Sequence, residues 1–220
     1  MNGRFISTYR PLSVANLDET RVDSESMGGP AAGILLRSVL DEGQICAFKT
    51  WLREAAEFYD GSQDNPLQDG WEYFLRWPAE LGEEPSGRPC LGGIQMYRID
   101  PELDSSGERF FSPADWARYR EALGWMPGCE LSVGINCNRP RDHRVLAWHC
   151  AELATRFCGV IDMGGQLPLP DAAVWSSCGL QGSAIEIAYS IDETRFGKVH
   201  VVDVDFLRSW ILRPNFHMIK

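Results

Sequence analysis

The stretch of sequence that decides the fold runs from residue 130 to residue 162 and reads ELSVGINCNRPRDHRVLAWHCAELATRFCGVID. Residues 130–137 alternate, which predicts a half-buried strand with one apolar face: Leu131, Val133, Ile135 and Cys137. A helix is predicted from about Arg141 to Cys158, with Gly159 as its stop and a core side made of Leu146, Cys150, Leu153 and Phe157. Residues 160–162 follow at once as a short strand. Such a β-α-β run with short turns predicts a right-handed crossover within one sheet.

Around this stretch, strands and helices are mixed without strict alternation. Strands are predicted at residues 32–40, 71–77, 92–99, 184–191 and 199–203. Further helices are predicted at 41–61, at 112–124 and between Asp203 and Pro214. Together these elements predict the α+β class, as a single domain with a mixed sheet of about six to seven strands and about four helices.

The helix boundaries are marked by capping residues. Asp41 and Gln44 form a capping pattern, and Gly61 is expected to end a helix whose apolar stripe is Ile45, Phe48, Leu52, Ala55 and Tyr59. Ser112 and Gly124 are expected to cap the second helix, whose apolar face is Trp116, Tyr119 and Leu123.

Burial is predicted for two strands and for the carboxyl end. Residues 32–40 are apolar on both faces, which predicts a strand at the centre of the sheet. In the strand at 184–191 the residues expected to be buried are Ile185, Ile187, Tyr189 and Ile191. After Pro214, Phe216, Met218 and Ile219 are expected to dock on the body of the protein.

Residues 1–27 read as a polar extension, and residues 28–220 as the single domain. The chain shows no apolar run resembling a signal peptide and no stretch long enough to span a bilayer. Its seven cysteines are odd in number and lack zinc-site spacing, and its four histidines are scattered. We therefore expect a reduced cytoplasmic protein with no metal and no cofactor.

The net charge of −10 comes from one segment, which we call the acidic segment: residues 54–108, with 13 acidic residues and three basic ones. The rest of the chain is balanced. A negative protein repels phosphate groups, so nucleic acids and anionic membranes are excluded as expected partners. Acidic surface interleaved with aromatic residues instead suits a basic protein partner, although most acidic stretches are simply solvated. The predicted partner-binding residues are Asp64, Asp69, Trp71, Glu72, Tyr73, Glu83, Glu84, Asp100, Glu102 and Asp104.

Candidate catalytic residues are few. Asp162 follows a buried strand, at the kind of strand end where α/β enzymes place acids, and Cys178 lies in a Ser-Ser-Cys-Gly loop. Asp142 and His143 are better interpreted as a helix cap and a first-turn side chain. The glycine-rich run at 27–33 lacks the Gly-Lys-Ser/Thr of a phosphate loop. We therefore expect a protein that is not an enzyme.

Three patches carry a family resemblance: GPAAGILL at 29–36, DHRVL through GVIDMGG at 142–165, and FLRSW through FHMIK at 206–220. The chain resembles an uncharacterised family of bacterial cytosolic proteins that is similar to immunity proteins of polymorphic toxin systems. The resemblance covers about residues 28–220. It implies a small α+β protein that binds and neutralises a cognate toxin, and it supplies no catalytic residues.

The leading hypothesis is therefore an immunity protein that occludes a toxin domain, one with a basic cleft, through the acidic segment. The alternative is a cytosolic, hydrolase-like enzyme with Asp162 or Cys178 in a cleft. A third possibility is an adaptor or chaperone for a secreted effector.

Overall fold

The computed structural model describes residues 30–59, 71–82, 90–99, 112–135, 139–167, 179–191, 194–214 and 216–218. Within these ranges the strands are β1 (Ala31–Leu36), β2 (Ala56–Tyr59), β3 (Trp71–Leu75), β4 (Cys90–Arg98), β5 (Cys129–Ile135), β6 (Val160–Asp162), β7 (Ala184–Ser190) and β8 (Phe196–Val202). The α-helices are α1 (Glu42–Ala55), α2 (Pro113–Leu123), α3 (Pro140–Phe157) and α4 (Val204–Ile211). The predicted α+β class is confirmed.

All eight strands belong to one sheet, in the order β2-β3-β4-β5-β1-β6-β8-β7. Every hydrogen-bonded neighbour pair is antiparallel, so the prediction of a mixed sheet is corrected. β5 and β6 do run in the same direction, as a β-α-β crossover requires, but β1 lies between them and is antiparallel to both. The insertion follows from the sequence of β1, which is apolar on both faces and therefore suits the centre of the sheet.

The additional strand is β2, which was predicted as the end of the first helix. α1 begins as expected, with Asp41 accepting from the Gln44 amide at 2.8 Å, but it ends at Ala55 rather than near Gly61. Ala56 is extended, and Phe58 and Tyr59 lie opposite Phe74 and Tyr73 of β3. The backbone of residues 56–59 thus pairs with β3, although the spacing of Ala55 and Tyr59 in the sequence is helical.

The other helix boundaries follow their capping residues, with one exception. Ser112 and Asp115 form a capping box at the start of α2, and Gly124 ends it in the left-handed conformation. α3 ends with Cys158 in that conformation (φ 52°), not with Gly159. The reason for glycine at 159 is space, because a Cβ there would lie 2.7 Å from Cδ2 of Leu36.

Helices cover both faces of the sheet at β1. Ile34 and Leu36 pack with α1, α3 and α4 on one face, whereas Leu35 packs with Trp116 and Tyr119 of α2 on the other. The predicted central position of this strand is therefore confirmed. None of the described helices has the length and apolarity needed to cross a membrane.

The carboxyl end docks on the helix layer. The rings of Phe216 and Trp210 meet edge to face at 4.9 Å, and the Met218 amide donates to Nδ1 of His143 at 2.9 Å. Phe216 and Met218 are buried as expected, and Ile219 lies outside the described residues. The expected burial of Ile191 is wrong: its side chain is 54% exposed because β7 ends at Ser190 on the edge of the sheet.

Candidate functional site

The strands of the acidic segment form one end of the sheet, which we call the acidic end. β2, β3 and β4 are consecutive along the chain and adjacent in space, and all three lie within residues 54–108. The strands at the opposite end, β8 and β7, come from the charge-balanced part of the chain. The strands of the acidic segment therefore lie together at one end of the sheet, away from β7 and β8.

The ends of these strands show where the acidic connections leave the sheet. Tyr59 and Trp71, on either side of residues 60–70, lie at the same end of β2 and β3. Arg98, ahead of residues 100–111, lies at that end of β4 as well. Leu75 and Cys90, on either side of residues 76–89, lie opposite each other at the other end. Two of the three acidic connections are thus attached to strand ends on the same side of the sheet, and we call this side the acidic rim.

The predicted partner-binding residues are placed as follows. Tyr73 is completely buried and is corrected to a core residue, since it presents no surface to a partner. Trp71 and Glu72 lie beside it in β3. The remaining predicted residues lie outside the described part of the chain: Asp64, Asp69, Glu83, Glu84, Asp100, Glu102 and Asp104.

Tyr73 is held in the core by a histidine that sequence reasoning did not single out. Its hydroxyl lies 2.6 Å from Nε2 of His149, whose ring stacks on Trp51 at 5.3 Å. Burial lowers the pKa of His149 to about 3, so the imidazole is neutral. Burial likewise raises the pKa of Tyr73, which keeps its hydroxyl protonated. The pair ties β3 to α3 and so fixes the acidic end of the sheet to the helix layer.

Among the described side chains near the acidic rim is an aromatic residue that faces solvent. Tyr97, in the last part of β4, is 37% exposed, and its hydroxyl donates to Oε1 of Gln95 at 2.6 Å. Trp77, which follows the opposite end of β3, is half-buried, with the Arg141 guanidinium 5.7 Å from its ring centre. Of these two, Tyr97 is the one that offers ring surface suited to anchoring a partner.

Asp162, the candidate of the enzyme hypothesis, is part of a closed hydrogen-bonded contact. Its Oδ2 accepts from the Tyr119 hydroxyl at 2.5 Å, and its Oδ1 accepts from the Gly164 amide at 2.8 Å. Burial raises the pKa of Asp162, and burial together with this carboxyl group raises the pKa of Tyr119. Asp162 is only 7% exposed. The contact joins α2 to the sheet.

A second carboxyl group lies close by. The Glu130 side chain bends over Gly33, with Oε1 3.0 Å from the place a Cβ of that glycine would take. Gly33 is the direct neighbour of Asp162 in the β1–β6 register. The structure therefore brings together two carboxyl groups and a tyrosine, but both oxygens of Asp162 are already engaged. A groove of about 550 Å³ lies elsewhere, along α4, lined in part by Gln181, Arg208 and Arg213.

The remaining candidates have structural partners or fall outside the described residues. Asp142 accepts from the Arg139 amide at 2.9 Å and caps α3, as interpreted from the sequence. His143 accepts from the Met218 amide. Cys178 lies outside the described residues. Across the described ranges, no group of three or more His, Cys, Asp or Glu residues is arranged to hold a metal ion.

A model of one protein family matches residues 28–220, and the family is described as one of unknown function, DUF6368. No curated protein and no solved structure matches the chain.

Proposed function

The chain belongs to the DUF6368 family, and we propose that it is an immunity protein. In this proposal it binds a cognate bacterial toxin domain in the cytoplasm of the producing cell and neutralises it by stoichiometric occlusion. The observation that carries the proposal is the concentration of the whole net charge of −10 in residues 54–108, whose strands β2, β3 and β4 form one end of the sheet.

An acidic end of this kind suits a basic partner for two physical reasons. A concentrated field speeds the encounter with a positively charged cleft, and it also orients the approach, because the rest of the molecule is balanced. Many toxins act on nucleic acids or nucleotides and therefore carry basic clefts, which an acidic surface would fill. Exposed aromatic surface such as that of Tyr97 would supply the apolar anchor that charge alone lacks.

Charge reversal in the acidic segment tests the proposal. Glu83, Glu84, Asp100 and Glu102 are changed together to Lys, and association with the co-purified product of the neighbouring gene is followed by stopped flow at several salt concentrations. At low salt we expect the association rate constant to fall by about tenfold or more and its dependence on salt to weaken.

A matched control keeps the change in net charge but moves it elsewhere. Asp18, Glu19, Asp23 and Glu25 lie in the polar extension, outside the family match, and changing them to Lys alters the net charge by the same amount. This control should retain most of the association rate. If the acidic-segment variant binds and protects like the wild type, the proposal that this segment forms the interface is wrong.

A hydrolase-like enzyme is the second candidate, and the contact between Tyr119 and Asp162 is the observation that favours it. A buried carboxyl group with a raised pKa is a common feature of catalytic sites. Both oxygens of Asp162 accept structural hydrogen bonds, however, so we rank this candidate below immunity. An effector adaptor or chaperone would use the same acidic surface on another part of its partner.

A further inference from the structure

β7 is the edge strand at the end of the sheet opposite the acidic end. The backbone N–H and C=O groups of successive β7 residues point alternately towards β8 and away from the sheet. Ile191 donates to the Arg195 carbonyl at 2.9 Å, and the Ser183 carbonyl accepts from Asp203 at 3.1 Å. Odd-numbered residues of β7 therefore direct their N–H and C=O groups towards β8. The even-numbered residues direct theirs outward, away from the sheet.

One of these outward groups is already satisfied. The Ser190 amide donates to Oδ1 of Asp115 at 2.8 Å, and Nη1 of Arg118 reaches the Ser190 hydroxyl at 3.3 Å. The backbone groups of Ala184, Glu186 and Ala188 have no hydrogen-bond partner in the part of the chain that the structure describes. The middle of β7 is thus an open edge, which is a template for pairing with another strand.

The two edges of the sheet differ in how they are protected. β2 has four residues and an irregular register between Ala56 and Phe58, and both features discourage pairing. β7 has seven residues in unbroken register with β8. Beside its end, the side chains of Ile191 and Phe196 are more than half exposed, which adds apolar surface to the open edge.

We propose that the open edge of β7 pairs with β7 of a second copy of this chain, in an antiparallel two-fold dimer. In such a pairing, residues whose N–H and C=O groups point outward must lie opposite each other. The register that places Glu186 opposite Ala188 of the second copy meets this requirement, and two-fold symmetry then places Ala188 opposite Glu186 of the second copy. The same register places Ile187 opposite Ile187 of the second copy, and Ile185 opposite Tyr189. Like charges do not face each other in it.

Charge supports a second copy as the occupant. Two copies joined at β7 hold β2, β3 and β4, the strands of the acidic segment, farthest from the contact, so the segment that carries the net charge of −10 is attached at opposite extremes of the dimer and opposes this contact least. At the junction itself, Glu186 is paired with Lys198 at 2.7 Å. The dimer leaves both acidic ends open, and a partner protein would bind it in a two-to-two complex.

The test is the molar mass of the full chain, measured by sedimentation equilibrium over a wide range of concentrations. We expect a monomer–dimer equilibrium in the wild type. Ala188→Pro removes an outward N–H that the fold does not use, so it should leave the melting curve intact and reduce dimerisation at least about tenfold.

A pair of charged variants tests the register. Ala188→Glu would face Glu186 of the second copy and should weaken the dimer about tenfold, although the new carboxylate lies next to Lys198 within its own copy. Ala188→Lys would face the same Glu186 favourably and should keep or strengthen the dimer. A wild-type chain that is monomeric at every concentration, or a dimer that Ala188→Pro leaves unchanged, overturns the proposal. Equal effects of the two charged variants overturn the register.

Discussion

His149 has one ring nitrogen bonded to Tyr73, while Nδ1 is buried without a hydrogen-bond partner in the described part of the chain. A buried imidazole with this environment resists protonation, because the charged form would lose its hydration without gaining a partner. In the folded protein the His149 ring is therefore protonated only near pH 3, whereas an unfolded histidine is protonated near pH 6.5. Unfolding is coupled to proton uptake between these two values.

The sign of the effect on stability follows. The contribution of His149 is fully present above about pH 6.5 and is lost progressively as the pH falls towards 3, with a slope of about 1.4 kcal/mol per pH unit. Urea denaturation at pH 7, 6, 5 and 4 measures this slope. His149→Gln should flatten the acid limb by that amount, because the variant side chain does not titrate.

Tyr73→Phe is the matched control, since it removes the hydroxyl group but leaves the buried imidazole to titrate. Its free energy of unfolding should fall by about 1 kcal/mol at pH 7, with the acid slope retained. An identical acid slope in the wild type and in His149→Gln would show that another group governs the acid stability.

Contacts such as these could not be predicted from the sequence, because they join residues that are far apart in the chain. Asp162 could be singled out because it ends a buried strand, but its partner Tyr119 lies 43 positions away on the apolar face of α2. His149 and Tyr73 are 76 positions apart. Spacing along the chain carries no signal for either pair, since both depend on how helices pack across the sheet.

Among the helices and strands, the boundaries set by contacts between residues close in sequence were predictable. The capping boxes at Asp41 and Ser112 involve groups three residues apart, so the sequence alone places the starts of α1 and α2 correctly. The end of α1 was not predictable, because Ala56–Tyr59 becomes a strand only by pairing with β3. The antiparallel character of the sheet was missed for the same reason, since β1 enters between β5 and β6 from far away in the chain.

The docked carboxyl end gives a prediction at this scale. Deleting residues 215–220 should lower the free energy of unfolding by a few kcal/mol, because two buried apolar side chains, Phe216 and Met218, would be lost. Their contact sites, the Trp210 ring and the His143 imidazole, would be exposed as well. Thermal and urea denaturation of the truncated chain measure the effect.

Phe216→Ala separates the two parts of this contact. It keeps the backbone bond from Met218 to His143 and should account for about 3 kcal/mol of the loss. A truncated protein that melts at the wild-type temperature would show that this end contributes nothing to stability.

For the whole molecule, the main feature is the difference between the two ends of the sheet. The acidic segment supplies β2, β3 and β4 at one end, and the charge-balanced part supplies the open edge of β7 at the other. The position of the acidic segment was predictable because charge is additive along a chain. That its three consecutive strands remain neighbours at one end of the sheet was known only from the structure. The proposed interfaces use opposite ends and do not compete.

The last prediction concerns stoichiometry. The three buried histidines are each engaged in a structural hydrogen bond, His143 with Met218, His149 with Tyr73 and His200 with Leu167. A catalytic base has to be held within reach of a substrate proton, and these imidazoles are already committed within the fold. Because the proposed mechanism is occlusion, protection of the toxin's target, titrated in a purified system, should rise linearly and saturate at one copy of the chain per toxin. Asp162→Asn should protect equally well at the same ratio, because β6 is separated from the strands of the acidic segment by β5 and β1. Protection at a small fraction of the toxin concentration, lost in Asp162→Asn, would establish turnover and identify the contact with Tyr119 as part of an active site.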